Sequence, residues 1–432
     1  MTMACLWAET AREQADYPAL SDAIDVDVAV IGGGILGLST ALALAEAGAR
    51  VAVLEADRIG AGASGRNGGL VVPSLPRVGP DDVLRAMGED RGGAFIRLVL
   101  GAPGEVADRI ASFGIDCGFT RNGWLNPAHG PAMVAGLSRR LAAWQRFGSQ
   151  AVLLSAEETR ARIGSQSFFG AIADPTGGHL NPLAYTRGLA RAAHAAGARI
   201  HEASAVLGAE RQGDRWRLRT EGGELRAARI LQATNAQPPG LARSDAAARS
   251  TVPLTIYELA TPVLPAAVRA SILPGGEAMS DTRNNLFACC IDDTGRIVTG
   301  GMAPLTQRGA GAWLPPMLAR RLQRLFPQLG PVRFSHVWSG RAALTPDFLP
   351  RLFQPAADWF VPFTCNGRGV ALSTAMGARL GAWLACGDET RLPLVPTQPS
   401  PIRLHAFAAR VPQFLLPLGM LADRRNERPL RG

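Results

Sequence analysis

The feature that most constrains this chain is a segment near its N-terminus, residues 27–55, which reads DVAVIGGGILGLSTALALAEAGARVAVLE. A short apolar strand, a stretch with helical periodicity and a second strand follow one another, which predicts a βαβ unit. Gly32, Gly34 and Gly37 have the GxGxxG spacing, which permits a tight turn, the approach of a pyrophosphate and close packing of helix on strand. Glu55 ends the second strand, where a carboxylate accepts hydrogen bonds from ribose hydroxyls. The segment therefore predicts a dinucleotide-binding domain.

Composition removes several other functions. The chain has 432 residues, with 45 basic and 36 acidic side chains and a net charge of +9, and every basic residue is an arginine. Without lysine, the chain can form neither a Schiff base with pyridoxal phosphate nor a phosphate-loop lysine contact. The arginines are scattered rather than interleaved with aromatic residues, so we predict no nucleic-acid partner. The six cysteines are irregularly spaced and form no CxxC pair, so neither a metal site nor a disulfide framework is predicted.

A second glycine-rich motif follows the acidic strand. Residues 62–69 read GASGRNGG, a turn-rich stretch in which Ser64, Arg66 and Asn67 are hydrogen-bond donors. Together with the βαβ unit, this motif resembles the D-amino-acid oxidase superfamily of FAD-dependent oxidoreductases, especially its glycine oxidase, sarcosine oxidase and gamma-glutamylputrescine oxidase branches. The resemblance implies that the cofactor is FAD and that this loop lines its pyrophosphate and flavin ring.

The resemblance extends over nearly the whole chain. Residues 177–206 and 216–236 resemble the family's adenine-contacting element and the strand that returns to the dinucleotide domain. Residues 338–352 are similar to its segment that crosses under the flavin, and residues 360–384 contain NGRGV in place of its Gly-His-Gly-Val turn. In the family, the helix after this turn points its N-terminus at the flavin, where partial positive charge stabilises the reduced ring.

The cofactor contacts predicted from the motif and the resemblance are Gly32, Gly34, Ile35, Leu36, Gly37, Glu55, Ala56, Ala63, Ser64, Arg66, Asn67, Gly68, Gly69, Val206, Ala233, Thr234, Asn235, Gly340, Asn366, Gly367, Arg368, Gly369 and Val370.

The fold class implied is α/β. A Rossmann-like FAD-binding domain, with a parallel sheet and helices, is interleaved with an α+β substrate domain built on a mostly antiparallel sheet. The predicted segments are 22–100, 176–245 and 331–398 for the FAD-binding domain, 101–175 and 246–330 for the substrate-binding domain, and 399–432 for a basic and apolar C-terminal tail.

Three departures from the family bear on substrate and cofactor. Members that hold a free α-carboxylate often use an arginine where this chain has Ala342, and Arg341, one residue earlier, would lie on the other face of a strand. Cys365 does not match the cysteine that links flavin covalently in sarcosine oxidases, so we expect non-covalent FAD. Those enzymes also use a lysine to speed the reaction with oxygen. The electron acceptor is therefore expected to be either O2 or a quinone or other carrier.

We predict an FAD-dependent amine oxidoreductase that transfers hydride from an amine or amino-acid derivative to flavin N5, after which the imine hydrolyses. A gamma-glutamyl amine or another substituted amine is the favoured small-molecule substrate. The alternatives are a free amino-acid oxidase or dehydrogenase, in which Arg341 or Arg368 holds the carboxylate, and a non-catalytic FAD-binding subunit of an electron-transfer complex. The candidate catalytic residues are Tyr257, His336 and Arg368.

The two ends of the chain bear on location. Glu9, Glu13 and Asp16 interrupt the apolar residues of the N-terminal region, so we predict no signal peptide and a cytoplasmic location. The tail combines apolar clusters with arginines and is interrupted by Pro412 and Pro417, so we expect a helix packed on the body, with peripheral membrane contact at most.

Overall fold

The computed structural model describes residues 5–236 and 245–427. Residues 237–244 of the predicted FAD-binding domain and residues 428–432 of the predicted tail lie outside the described residues. The strands in chain order are β1 (Ala23–Ile31), β2 (Val51–Leu54), β3 (Leu70–Val71), β4 (Trp124–Pro127), β5 (Val152–Leu154), β6 (Ala171–Asp174), β7 (Gly178–His179), β8 (Arg199–His201), β9 (Gly208–Gln212), β10 (Arg215–Arg219), β11 (Glu224–Gln232), β12 (Val252–Ala260), β13 (Ala278–Ser280), β14 (Ala288–Ile291), β15 (Ile297–Gly301), β16 (His336–Leu344), β17 (Arg351–Ala356), β18 (Trp359–Phe363) and β19 (Pro396–Thr397). The α-helices are α1 (Leu6–Thr10), α2 (Ile35–Glu46), α3 (Pro80–Met87), α4 (Glu89–Phe113), α5 (Val134–Gln145), α6 (Ala156–Ile163), α7 (Pro182–Ala195), α8 (Asp245–Ala248), α9 (Ala266–Arg269), α10 (Ala310–Leu325), α11 (Gly369–Cys386), α12 (His405–Ala408) and α13 (Val411–Asn426).

The first sheet is the dinucleotide-binding sheet. Its central strands run in the order β18, β11, β1, β2 and β8, all paired in parallel, and β9 and β10 extend it through an antiparallel edge on β11. The last residues of β1 are buried, as expected for a strand with packed elements on both faces. Helices α2, α4, α7 and α11 contribute to the hydrophobic core on one side of this sheet. The predicted Rossmann-like sheet is confirmed.

Helix α2 begins shortly after β1, and Gly37 in its first turn allows the helix to pack closely against the strand. A Cβ atom on Gly37 would lie 2.2 Å from the carbonyl oxygen of Gly32 and 3.1 Å from a methyl group of Val30. Because any larger side chain would push the helix off the strand, Gly37 fixes where α2 starts. Helix α11 packs along α2. The N-termini of both helices border the same cavity.

The second sheet is mostly antiparallel, with the strand order β16, β12, β15, β14, β13, β4, β6 and β5. Side chains alternate between its faces. On β12, Leu259 joins Leu314 and Leu318 of α10 in a hydrophobic cluster on one face, whereas Ile256 and Glu258 border the cavity on the other face. The second sheet thus forms one wall of the cavity, and α10 packs on the opposite face of this sheet.

The chain crosses between the two sheets several times, as the predicted interleaving requires. Strand β16 belongs to the second sheet and β17 to the first. The last crossing therefore falls between Leu344 and Arg351, later than the predicted boundary at 331. Helix α4, which packs against α11 of the first unit, runs through the predicted boundary at 101. Both differences arise because loop composition marks a turn but does not show which sheet the next element joins.

The C-terminal segment packs on the body through α13. Asp423 accepts hydrogen bonds from the backbone N–H of Asn284 at 3.0 Å and from its side-chain amide at 2.8 Å, and Arg283 pairs with Glu427 at 2.9 Å. Leu415, Leu416 and other residues of α13 border the cavity. The outward face leaves Phe414, Leu418 and Leu421 54%, 63% and 51% exposed. In the described part of the chain, no helix is both long and apolar enough to cross a bilayer.

Candidate active site

A cavity of about 1280 Å³ lies between the first sheet, the second sheet and α13. It exceeds the usual size of a pocket for one small ligand, so it has room for a dinucleotide and a substrate together. The predicted cofactor residues that line it are Gly32, Gly34, Ile35, Leu36, Glu55, Ala56, Ala63, Ser64, Arg66, Asn67, Gly68, Val206, Ala233, Thr234, Asn235, Gly340, Asn366, Gly367, Arg368, Gly369 and Val370.

Two predicted cofactor residues support the cavity from outside its lining. Gly37 packs α2 against β1, which is the role that the motif gives its third glycine. Gly69 takes part in the loop that follows: its N–H donates to Asn67 Oδ1 at 2.8 Å, and its carbonyl accepts from the N–H of Leu180 at 2.9 Å. A direct cofactor contact is therefore not assigned to either residue.

Glu55 lies at the end of β2 beside the glycine turn. Its carboxylate accepts hydrogen bonds from the backbone N–H groups of Gly33 at 2.6 Å and Asp57 at 3.1 Å. Burial raises the pKa of Glu55, while these two backbone donors act in the opposite direction. The N–H donors fix the carboxylate in the cavity wall, and its remaining lone pairs can accept from ribose hydroxyls.

The loop of residues 62–69 is braced before any ligand binds. Ser64 Oγ accepts from the N–H of Ile35 at 3.0 Å, so its hydroxyl lies at the N-terminus of α2. Asn67 Nδ2 donates to the carbonyl groups of Ala63 and Ser64 at 3.0 and 2.8 Å. The side chain of Arg66 donates to the carbonyl of Ser339 at 2.6 Å. The side chains of Arg66 and Asn67 thus hold the loop in place while the loop lines the cavity.

The turn before α11 completes this part of the wall. Asn366 has a positive φ of 42°, and its side-chain oxygen accepts from the N–H of Thr345 at 2.8 Å. This bond ties the turn to the end of β16. The N-terminus of α11 at Gly369 therefore borders the cavity, where its positive end can face an anionic ring.

These residues fit FAD. The pyrophosphate would be held by the glycine turn and the N-terminus of α2, and the ribose by Glu55. Ser64 Oγ accepts from the N–H of Ile35 in the first turn of α2, so its hydroxyl would lie beside a pyrophosphate held at this helix N-terminus. The second helix N-terminus, at Gly369, supplies a further positive end for the flavin.

Glu258 on β12 is a cavity residue that the sequence analysis missed. A Cβ atom on Gly300 would lie 2.5 Å from its Oε2, and one on Gly68 would lie 3.4 Å from both carboxyl oxygens. The carboxyl therefore occupies the space above Gly300, next to the loop predicted to line the flavin ring. Burial alone raises the pKa of Glu258 from 4.5 to about 8. A carboxyl that changes charge near neutral pH inside a cavity is a candidate for function.

The structure places two of the predicted catalytic residues, Tyr257 and His336, away from the cavity. Tyr257 precedes Glu258 on β12, so its side chain points to the opposite face, where it packs with Leu259 and the α10 cluster. His336 lies four residues before Gly340 on β16, about 13 Å along the strand, and its Nε2 bonds Glu9 at 2.8 Å. Neither side chain is part of the cavity lining, which argues against a role for either in the reaction.

Arg368, the third predicted catalytic residue, does border the cavity. Its guanidinium bonds Ser74 Oγ and the carbonyl of Leu75, and it lies 5.1 Å from the ring centre of Trp124. The guanidinium of Arg140 from α5 bonds the same carbonyl at 2.9 Å. Burial and the charge of Arg140 lower the pKa of Arg368 to about 9. Arg140 could not be predicted as a site residue, because a single arginine in a helix belongs to no motif.

Comparison with known proteins identifies the family. The model of the DAO family, described as FAD dependent oxidoreductase, matches residues 27–383. The chain belongs to the DAO family of FAD-dependent oxidoreductases. It is 32% identical over 386 residues to gamma-glutamylputrescine oxidoreductase of Escherichia coli (strain K12), with 89% of each chain covered. It is 25% identical over 383 residues to glycine oxidase of Geobacillus kaustophilus (strain HTA426), covering 86% of this chain and 95% of that one.

The solved structures agree with the fold of this DAO family member. Glycine oxidase from Geobacillus kaustophilus superposes with a TM-score of 0.72 at 22% identity, covering 87% of this chain and 98% of that chain. The predicted fold class, the FAD cofactor and the oxidoreductase class are confirmed. Among the described residues, no group of three or more His, Cys, Asp or Glu side chains is arranged to hold a metal ion.

Proposed function

We propose that this DAO family member oxidises a C–N bond of an amine, with a gamma-glutamyl amine or another substituted amine as its preferred substrate and with non-covalently bound FAD. The observation that carries this proposal is Glu258, a carboxyl in the cavity wall next to Gly68 of the predicted flavin loop. A buried carboxylate attracts a cationic amine. The 32% identity to gamma-glutamylputrescine oxidoreductase supports the same substrate class.

The chain's own residues perform the proton step. The ionised Glu258 carboxylate binds the substrate ammonium group and accepts one proton from its nitrogen, which leaves a neutral amine with a free lone pair. Bound FAD supplies the acceptor for the hydride on the adjacent carbon. The resulting imine takes up water and yields a carbonyl compound and ammonia, or an amine where the reacting nitrogen carries a further substituent. Glu258, Gly68 and Gly300 thus position the reacting nitrogen, and orientation supplies much of the rate.

The chain contains no lysine that could speed the reaction of the reduced flavin with oxygen. The identity of the electron acceptor is therefore also a proposal. Arg66 and Arg368 border the cavity, and neither can act as a lysine does. We therefore retain both O2 and a quinone or other carrier as acceptors to be tested.

The test is anaerobic mixing of the FAD-loaded protein with gamma-glutamylputrescine, N-methyl amino acids, glycine, D-alanine and simple diamines. We expect the visible flavin absorbance to fall fastest with the gamma-glutamyl amine. Admitting air then separates an oxidase, which recolours quickly, from a dehydrogenase, which recolours slowly. Reduction by glycine or D-alanine, with none by amines, would establish the free amino-acid oxidase instead.

A further inference from the structure

Two half-buried arginines face the cavity without an acidic partner among the described residues. We propose that Arg140 and Arg368 form an anion subsite that binds a carboxylate on the substrate, at the end remote from the amine that is oxidised. This inference rests on the proposed amine oxidation and adds the second recognition group of the substrate. It makes the cavity bipolar, with Glu258 at the amine end and two guanidinium groups at the carboxylate end.

The contacts of the pair are all to neutral groups. Arg140 bonds the carbonyl of Leu75 at 2.9 Å and lies 3.4 Å from Asn126 Oδ1. Arg368 bonds the same carbonyl at 3.3 Å and the hydroxyl of Ser74. Among the acidic residues that the structure describes, none pairs with either guanidinium. The two arginines therefore share neutral acceptors on residues 74–75 and keep their positive charges uncompensated.

Uncompensated charge of this kind is costly inside a protein. Burial lowers the pKa of Arg140 to about 10, and burial together with Arg140 lowers the pKa of Arg368 to about 9. Two adjacent cations that are only partly open to water favour a bound anion, because it supplies the missing opposite charge. A carboxylate suits the pair, since each guanidinium can offer it two parallel N–H donors.

The second sheet connects this pair to Glu258 by one row of residues. Glu258 pairs with Gly300 across β12 and β15, and Ser280 pairs with Ala288 across β13 and β14. At the end of the row, Asn126 donates to the carbonyl of Ser280 at 2.5 Å. All five residues line the cavity.

The row of residues also sets the distance between the two ends of the proposed substrate site. Four inter-strand steps of about 4.8 Å separate the backbones of Glu258 and Asn126, roughly 19 Å in all. The residues between them, Gly300, Ala288 and Ser280, have small side chains, so an extended ligand can lie over them. The side chains of Glu258, Arg140 and Arg368 reach inward from the two ends. A substrate with its carboxylate and its reacting amine on the same carbon could not contact both ends, whereas a glutamyl amide of a diamine could.

The FAD phosphates are a poor candidate for the same pair. Arg140 belongs to α5, which packs against β6 of the second sheet. The glycine turn that holds the pyrophosphate lies on the first sheet, at Gly32 and Gly34. Arg140 therefore approaches from the substrate side of the cavity, whereas Arg368 reaches it from the turn before α11.

The test compares gamma-glutamylputrescine with the same compound carrying a carboxamide in place of its α-carboxylate. We expect the wild-type enzyme to prefer the carboxylate by about tenfold or more in kcat/KM, with the difference mainly in KM, because charge-assisted hydrogen bonds are lost. R140M and R368M should lose this preference, and R140K should restore part of it. R139M is the matched control, since Arg139 is the exposed neighbour of Arg140 on α5.

A binding measurement without turnover accompanies the kinetics. Glutarate is titrated calorimetrically into the FAD-loaded protein, and we expect binding to the wild type and R139M but at least tenfold weaker binding to R140M. Equal preference for carboxylate and carboxamide in the wild type, or unchanged preference in both R140M and R368M, would overturn the subsite. If glutarate binds through Arg140 but no amine reduces the flavin, the subsite stands and the proposed amine oxidation fails. Retained FAD and an unchanged circular dichroism spectrum show that each variant folds.

Discussion

At the scale of single residues, Glu258 is a group in the cavity wall whose charge is strongly controlled by the fold. Its carboxyl lies above Gly300 because that residue has no side chain, and its pKa is raised from 4.5 to about 8 by burial. The folded protein therefore keeps a proton on Glu258 over a pH range in which the unfolded chain releases it. Both its stability and its activity should depend on pH in this range.

The first prediction concerns the stability of the FAD-free protein. Because the folded-state pKa is raised, stability from this group is full below about pH 4.5 and is lost as the pH rises towards 8. Glu258→Gln lacks this titration. We expect the free energy of unfolding of E258Q to rise relative to that of the wild type between pH 5 and 8, by about 1.4 kcal/mol per pH unit at most. Parallel curves over this range, measured by calorimetry, would contradict the raised pKa.

The second prediction concerns catalysis. In kcat/KM, which reports groups of the free enzyme and free substrate, the wild type should gain activity as Glu258 ionises near pH 8. E258Q should be at least tenfold slower with amine substrates and should lack this step, while the step due to the amine's own pKa remains. The measurement is the pH profile of anaerobic flavin reduction. An unchanged profile in E258Q would remove Glu258 from the proton step.

At the scale of elements, α13 closes the cavity and is held by a buried carboxylate. Asp423 is 4% exposed and accepts hydrogen bonds from both the backbone and the side chain of Asn284. Asp423→Ala would leave these donors unpaired, at a cost of about 1–3 kcal/mol. We expect faster proteolysis within residues 404–427 and a severalfold higher KM, with FAD affinity unchanged, because the glycine turn and Glu55 lie elsewhere. Weaker FAD binding with an unchanged KM would show that α13 serves the cofactor instead.

The elements also differ in how far their cavity residues could be predicted from the sequence. The glycine turn, the GASGRNGG loop and the NGRGV turn are local motifs, so the residues that line the cavity from the first sheet could be predicted from spacing and resemblance. Glu258 could not, because strand periodicity shows that Tyr257 and Glu258 face opposite ways but not which face meets the cofactor. Arg140 could not be predicted as a cavity residue either, because only tertiary packing brings α5 beside Arg368.

At the scale of the whole molecule, two sheets and a C-terminal helix line a large cavity, for which we propose a cofactor side and a substrate side. The interleaving of the chain explains why the predicted boundary at 331 falls early: β16 returns to the second sheet before β17 rejoins the first. The first sheet supplies Glu55 and two helix N-termini. The second sheet supplies Glu258 and, through α5, Arg140. Family membership accounts for the first set of groups, and the second set distinguishes this chain's proposed substrate.

The measurement that tests this account most directly is a crystal structure of the enzyme with reduced FAD and bound gamma-glutamylputrescine, since the reduced flavin cannot accept a second hydride. We predict that the terminal amine lies within hydrogen-bond distance of Glu258 and that the α-carboxylate lies between Arg140 and Arg368. A substrate bound in the reverse orientation, or with its amine away from Glu258, would contradict the account.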